Sequence, residues 1–502
     1  MEITYCNIKK IAIAYITIPV IIFILGWIKL HIAIPVVALL LIALWKGIYN
    51  KKSQKSIKDK EENKENKKSI YISKKMILLI FGIAFGWCLF SGQGGFFPQS
   101  DDYPWRNAIL RDLINFDWPV VYSEFNRTLV YYIGHWMVPG LFGKMALGIT
   151  NSSNIAWIVG NITLLIWTSI GATIVLLLLI KLLKCDSRKK IFITILMMIF
   201  FSGLDFIGTM ITGRYDAMHI EWWVRGLQFS SITTCLFWVF NQSIIPWIIT
   251  LIVLQEKNVK NYAFLIVICL LSGPFPTVGI AIYMVVLGII ELIKHIKNKQ
   301  FKEFILDVFS IQNIVAILLI LPIFILYLTS NSAASMGVKI SLGTIEEGVT
   351  YFTLIQRYIL FIILELGVYA AFIFKDNKRN PIYYTTIAYL IIVPLIKMGE
   401  SSDFCMRVSI PGVLILMCLI IKYLFDNIEI KKKTCTVLII LLCIGAATPF
   451  IEMRRSVVQL NDNNIVNVKD TIGTFNQEEV RLIDNFVAND YQEKTFYKYL
   501  AK

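Results

Sequence analysis

Gly92-Gln93-Gly94-Gly95-Phe96-Phe97-Pro98-Gln99-Ser100-Asp101-Asp102-Tyr103-Pro104-Trp105-Arg106-Asn107 separates a long apolar run from an amphipathic one. The apolar run, 76–91, predicts a helix that crosses a membrane. Beyond the quoted stretch, Trp105, Ile109, Leu113 and Phe116 fall at helical spacing on one stripe. Arg106, Asn107, Arg111 and Asp112 fall elsewhere, which predicts a surface-lying helix. Two adjacent carboxylates, Asp101 and Asp102, are thereby held at a membrane boundary beside an arginine. Carboxylates there serve as general bases or metal ligands. The plainer reading makes them the N-cap and solvated start of the helix, with Pro104 in its first turn.

The rest of the chain extends the membrane reading. Of its 502 residues 57% are hydrophobic, and the mean hydropathy is +0.66, which excludes a soluble enzyme with a large core. The net charge of +15 is accounted for by lysine-rich loops on one side of a membrane and needs no nucleic-acid partner. Cys6, Cys88, Cys185, Cys235, Cys269, Cys405, Cys418, Cys435 and Cys443 are scattered, mostly within apolar runs, with neither metal-ligand spacing nor a disulfide framework.

In order, apolar runs at 11–28 and 31–47 predict an N-terminal two-span hairpin (1–49) with a cytoplasmic start. A lysine-rich cytoplasmic loop follows at 50–75. The span 76–91 then leads outward into a large external loop, 92–153. Within it, 128–148 is apolar, but parity requires it to begin and end outside. It is read as a re-entrant or surface-lying pair of short helices broken at Pro139-Gly140. Further spans are expected at 154–180, 191–206, 232–254, 262–272, 277–293, 311–328, 351–374, 382–396, 412–425 and 435–450. The total is about thirteen in an all-α polytopic protein of the cell membrane. Residues 451–502 form a small external tail, so the N-terminus is cytoplasmic and the C-terminus external.

Polar side chains gather in the outer loops. Besides Asp101, Asp102 and Arg106, the second loop carries Arg214, His219, Glu221 and Arg225, and the last large one Asp403 and Arg407. His219-Ile220-Glu221 presents two potential metal ligands, on one face only if the segment is extended. The Trp222-Trp223 pair reads as an interface belt or a sugar platform. Arg407 is placed either to hold a lipid phosphate bidentately or to pair with Asp403. Within the span 351–374, Arg357 and Glu365 are charged at a depth where a partner or a cavity is expected.

A span leading outward, a first external loop opening on paired acids, and the segment Leu129-Val130-Tyr131-Tyr132 through Gly143-Lys144 together resemble the GT-C superfamily of polytopic glycosyltransferases. The resemblance covers roughly 76–185 and leaves the N-terminal hairpin outside it; it makes 76–450 a GT-C-like membrane domain. It implies a polyprenyl-phosphate-linked sugar donor, a cell-surface glycan or lipid acceptor at the outer face, and membrane lipid around both. Asp101 would be the general base and Asp102 its assistant or a metal ligand. Arg106, Tyr131, Tyr132, Lys144, His219, Glu221 and Arg407 would contact substrate, with Arg407, Arg106 or Lys144 offsetting the leaving phosphate. A divalent metal ion, if used, would draw on Asp102, His219 and Glu221. The stretches at Ser100-Asp101, 219–223 and 403–411 also resemble a group of large bacterial membrane proteins, which brings no mechanism. The alternative reading is a transporter or flippase for a lipid-linked or anionic substrate, which would favour inverted repeats and midplane polar sites.

Overall fold

A computed structural model describes residues 5–49, 72–335, 337–344, 349–398, 402–458 and 483–502. Ten helical stretches among them, one of which (Arg188–Thr212) is interrupted at 201–204, are long and apolar enough to cross a membrane, so the chain is a multi-pass membrane protein.

Helices α1 (Tyr5–Trp27) and α2 (Leu30–Leu44) form the expected hairpin. All but the last four residues of the lysine-rich loop lie outside the described residues. Helix α3 (Lys74–Phe90) begins at Ser73, whose side chain accepts from the Met76 N–H. It ends where Gly92 and Gly94 take φ of +84°, a conformation open to glycine and the reason the quoted stretch is glycine-rich.

Helix α4 (Tyr103–Asn115) follows. Its polar face is covered by protein and not left to solvent. Arg106, Asn107 and Asp112 are buried along with the apolar residues. Each finds a partner: Arg106 bonds Asp102 and the Trp238 carbonyl, Asn107 donates to Gln99, and Asp112 accepts from the Tyr122 hydroxyl. Strands β1 (Val121–Tyr122) and β2 (Arg127–Leu129) precede α5 (Met137–Thr150). That helix runs unbroken through Pro139-Gly140, because proline in a first helical turn removes no intrahelical bond. The irregular backbone falls earlier, at Val130–Tyr132.

Helix α6 (Ser153–Leu182) packs beside α5. Gly140, Gly143 and Gly160 of this pair form the floor on which Leu113 and Ile114 of α4 rest; a Cβ at Gly143 would stand 2.6 Å from Ile114. The expected span 191–206 is two helices, α7 (Arg188–Phe200) and α8 (Asp205–Thr212), broken at 201–204. Next come α9 (Ile232–Gln255), α10 (Tyr262–Leu270), α11 (Pro274–Lys297), α12 (Phe301–Val308) and α13 (Ile311–Leu328). Strand β3 (Val338–Ile340) precedes α14 (Tyr351–Asn377), whose middle, Ile363–Gly367, is a π-turn. Helix α15 (Pro381–Leu395), strand β4 (Ile396–Met398), short α16 (Asp403–Val408), α17 (Ile410–Asn427) and α18 (Lys432–Val458) complete the bundle. Three of the expected spans fall outside the ten: α3 has 17 residues, α10 has 9, and α15 is a short apolar helix.

The last helix carries on past 450, the expected start of the tail, and brings Glu452 and Arg455 into the interior. The tail itself is joined to the first loop. Its strand β5 (Val487–Asn489) pairs antiparallel with β2, giving a sheet of order β1-β2-β5. Strands β3 and β4 pair separately. At the chain's end the Lys502 N–H donates to the Trp27 carbonyl and the Lys29 N–H to that of Leu500, both at 3.0 Å. The α1–α2 turn, the first large loop and the tail therefore share one side of the bundle.

Candidate functional site

Trp238 is the hub of the polar interior. Helix α9 is kinked at Val239 (φ −135°, ψ 42°), one residue after it. A kink leaves carbonyls of the preceding turn without helical N–H partners. The Ser243 hydroxyl sits 3.0 Å from the Cys235 carbonyl and 2.9 Å from that of Val239. The Arg106 guanidinium serves the Trp238 carbonyl, donating from Nε at 3.0 Å and Nη2 at 2.7 Å. The same Nη2 pairs with Asp102 at 2.7 Å. Burial opposes the charge on Arg106, but Asp102 and Tyr131 together outweigh it and raise its pKa.

Asp102 occupies the N-cap position of α4, yet its side chain makes no capping bond and turns instead to Arg106. Asp101 is exposed and has no hydrogen-bond or ion-pair partner among the described residues. The two acids are thus different groups: one held by an arginine, the other open to solvent.

On the far side of Arg106, Tyr131 and Tyr132 lie ring on ring at 3.7 Å. Tyr131 also meets Phe486 of the tail at 4.7 Å, and Phe486 stacks on Trp105 of α4 at 5.0 Å and 9°. The Tyr132 hydroxyl accepts from Arg407 Nη1 at 2.7 Å, while Nη2 of Arg407 pairs with Asp403 at 3.1 Å. Nε of Arg407 is buried with no partner. Burial and the neighbouring Tyr131 push the Tyr132 phenol up, against the pull of Arg407. Arg106 and Arg407 are close enough to repel, and Asp102 contributes to holding Arg407 charged. Loop one, the Tyr-Tyr segment and the loop before α17 thus converge on one place.

The other face of Trp238 carries a second group. Its indole N–H donates to Glu452 at 2.9 Å, and the Arg455 guanidinium lies 4.9 Å over its ring while pairing with Glu452 at 2.8 Å. His219 Nδ1 bonds Glu452 at 2.6 Å, and the His219 ring packs on Trp222 and Trp238. Burial works against the His219 imidazolium, but Glu452 and Glu221 raise its pKa above the ordinary value. Glu221 accepts from Gln228 Nε2 at 2.8 Å, the Ser230 hydroxyl at 2.7 Å and the Ser231 N–H at 2.8 Å. Burial nonetheless pushes it up to about 7, against the pull of His219.

The metal candidates are therefore engaged elsewhere: Asp102 with Arg106, His219 with Glu452, Glu221 with three donors. Among the described residues no group of three or more His, Cys, Asp or Glu could hold a metal ion. Lys144 stands apart, donating to the Phe116 carbonyl at 2.7 Å and reaching Asp117 at 3.5 Å. Glu452, Arg455, Trp238 and Phe486 were not legible as site residues. The first two sit beyond an apolar run, Trp238 is one aromatic among many in a span, and Phe486 belongs to a tail without a motif.

An apolar groove of about 460 Å³ opens between α11, α15 and α16, with Val278, Ile282, Tyr384, Ala388, Phe404 and Val408 in its walls. No family model, curated protein or solved structure matches the chain.

Proposed function

We propose that the chain is a GT-C-like membrane glycosyltransferase that moves a sugar from a polyprenyl-phosphate donor to a cell-surface glycan or lipid at the outer face. The observation that carries this reading is the pair of neighbouring guanidinium groups, one with an unpartnered Nε–H, and the exposed carboxylate that directly precedes Asp102, the acid held by Arg106. Paired arginines suit a phosphate, and a solvent-open carboxylate suits a base. The acceptor oxygen bonds to the anomeric carbon as the bond from that carbon to the phosphate oxygen breaks. The proton passes to Asp101, and the electron pair leaves on the phosphate, whose charge Arg407 and Arg106 offset. The stack of Trp105, Phe486, Tyr131 and Tyr132 gives aromatic faces for a sugar, and the groove beside Phe404 and Val408 has room for part of a lipid tail.

Removing the base tests this directly. Asp101→Asn is expected to lower transfer in a reconstituted assay by at least ~10²-fold, the scale of general-base catalysis. In cells, the same sugar should disappear from the envelope of the deletion strain and of the Asp101→Asn strain, with the variant protein still present. Transfer at the parental rate in Asp101→Asn would return Asp101 to the role of a helix start.

A second reading, a transporter or flippase for a lipid-linked or anionic substrate, is favoured by one observation: the break between α7 and α8, flanked by the buried acids Asp205 and Glu365. Substrate flux in proteoliposomes, measured with and without donor lipid, separates the two.

A further inference from the structure

Glu365 takes no part in the transfer chemistry above, and its surroundings are unusual. It sits in the π-turn of α14, 4% exposed, and neither carboxyl oxygen has a hydrogen-bond partner. Its side chain is pressed against Gly203, in the break between α7 and α8; a Cβ there would collide with Glu365 Oε2. Across the break stands Asp205, 1% exposed and the opposite case. It accepts from the Ser202 hydroxyl at 2.9 Å, the Thr448 hydroxyl at 2.8 Å and the Trp223 indole N–H at 3.2 Å.

The break itself is tied down. Its Leu204 N–H donates to the Leu364 carbonyl of the π-turn at 3.3 Å, the Ile232 N–H to the Phe201 carbonyl at 3.2 Å, and the Tyr369 hydroxyl to the Ser202 carbonyl at 3.1 Å. Besides Asp205, the titratable groups that face Glu365 are Glu221, from the loop before α9, and Tyr369, from the end of α14. Neither Asp205 nor Glu365 has an ion-pair partner among the described residues.

Three donors fix Asp205 as the carboxylate of the two. An ionised Glu365 would then be a second negative charge, buried, without a donor and beside the first, an arrangement that burial and like-charge repulsion both oppose. Protonated, Glu365 has a hydroxyl to donate to Asp205, and the acid without donors becomes a donor itself. We infer that Asp205 and Glu365 form a proton-binding site: one proton, carried by Glu365 and shared with Asp205, set into the broken helix of the membrane domain. The inference does not rest on the sugar-transfer reading, because neither acid touches the arginine pair.

Infrared difference spectroscopy of the purified full-length protein, in water and in deuterium oxide, tests it. The measurement is made about two pH units above the value of Glu221, so that Glu221 is ionised. A protonated-carboxyl C=O band is expected in the parent protein, shifted on deuteration, lost in Glu365→Gln and kept in Glu221→Gln. Should Glu365→Gln not fold, Asp205→Asn is expected to shift the band by removing its acceptor. Absence of the band in the parent, or a band indifferent to both substitutions, overturns the proposal. So does a band that disappears when sodium replaces choline as the salt cation, which would make the site a metal-cation site.

Discussion

Arg106 joins two elements that the chain separates by more than a hundred residues. It is buried, donates twice to the Trp238 carbonyl, and holds Asp102, whose own side chain is 41% exposed. The ion pair is therefore partly screened, and the larger part of its contribution comes from the carbonyl exposed by the α9 kink. Arg106→Ala leaves that carbonyl without a partner and is expected to destabilise the protein by about 2 kcal/mol, read as a lowered Tm in detergent. Arg106→Lys loses the double contact and should recover only part of the loss. Glu221 makes a prediction of opposite kind. Its folded-state pKa, pushed up to about 7 chiefly by burial, lies above the ordinary glutamate value of 4.5. Between these values the folded protein binds more protons than the unfolded one, so stability falls as pH rises through this window and levels off above it. His219, also raised, adds a decline in the same direction above its ordinary value of 6.5. Glu221→Gln should flatten the fall of Tm between about pH 5 and 7; an unchanged slope would place the titration elsewhere. Of these residues, the Asp102–Arg106 pair was legible because it is spaced one helical turn apart. The Arg407–Tyr132 bond was not, since nothing in a sequence brings together two side chains 275 residues apart.

Among the elements, breaks in helices position more chemistry than the helices do. The kink at Val239 creates the carbonyl that Arg106 holds, and the break at 201–204 makes room for Glu365. Gly203 is decisive at the second place. A methyl group there collides with the Glu365 carboxyl, which must swing away from Asp205. Gly203→Ala is expected to cost about 1–3 kcal/mol, the range of overpacked interiors. The cost should shrink in the Glu365→Ala background, where the colliding atoms are gone, and a double-mutant cycle on thermal unfolding reads the coupling directly. Equal costs in the two backgrounds would mean that the backbone, not the carboxyl, limits the site. Neither break could be read in advance. The run 191–206 carries Gly203 and Asp205 but is apolar enough to be taken as one helix, and Val239 is an ordinary span residue. Pro139-Gly140, the strongest breaker signal in 128–148, lies in the first turn of α5 and breaks nothing.

At the scale of the whole molecule, hydropathy carries the multi-pass architecture, and the sheet β1-β2-β5 adds what hydropathy cannot: it ties the tail and the first large loop to one side, where the bond of Lys502 to Trp27 adds the α1–α2 turn. The 30 residues of α6 span about 45 Å, longer than a bilayer's apolar thickness, so the loop before α6 and the connection after it must face opposite compartments. Lys181, Lys184, Arg188, Lys189 and Lys190 cluster at the second of these, which the positive-inside tendency predicts to be cytoplasmic. On that expectation the tail is predicted to lie outside, because β5 pairs with β2 of the loop before α6 and Lys502 bonds Trp27. Single cysteines introduced into a cysteine-free background at Glu124, Asp186 and Lys502, all exposed, test the whole chain of reasoning. A membrane-impermeant maleimide added to intact cells should label Glu124→Cys and Lys502→Cys and spare Asp186→Cys until the membrane is opened. Labelling of Asp186→Cys alone would keep the architecture and invert its orientation, carrying the arginine pair and Asp101 to the cytoplasmic face and away from any outer-surface acceptor. Labelling that separates Lys502→Cys from Glu124→Cys would break the sheet itself, and with it the stack that brings Phe486 to Tyr131.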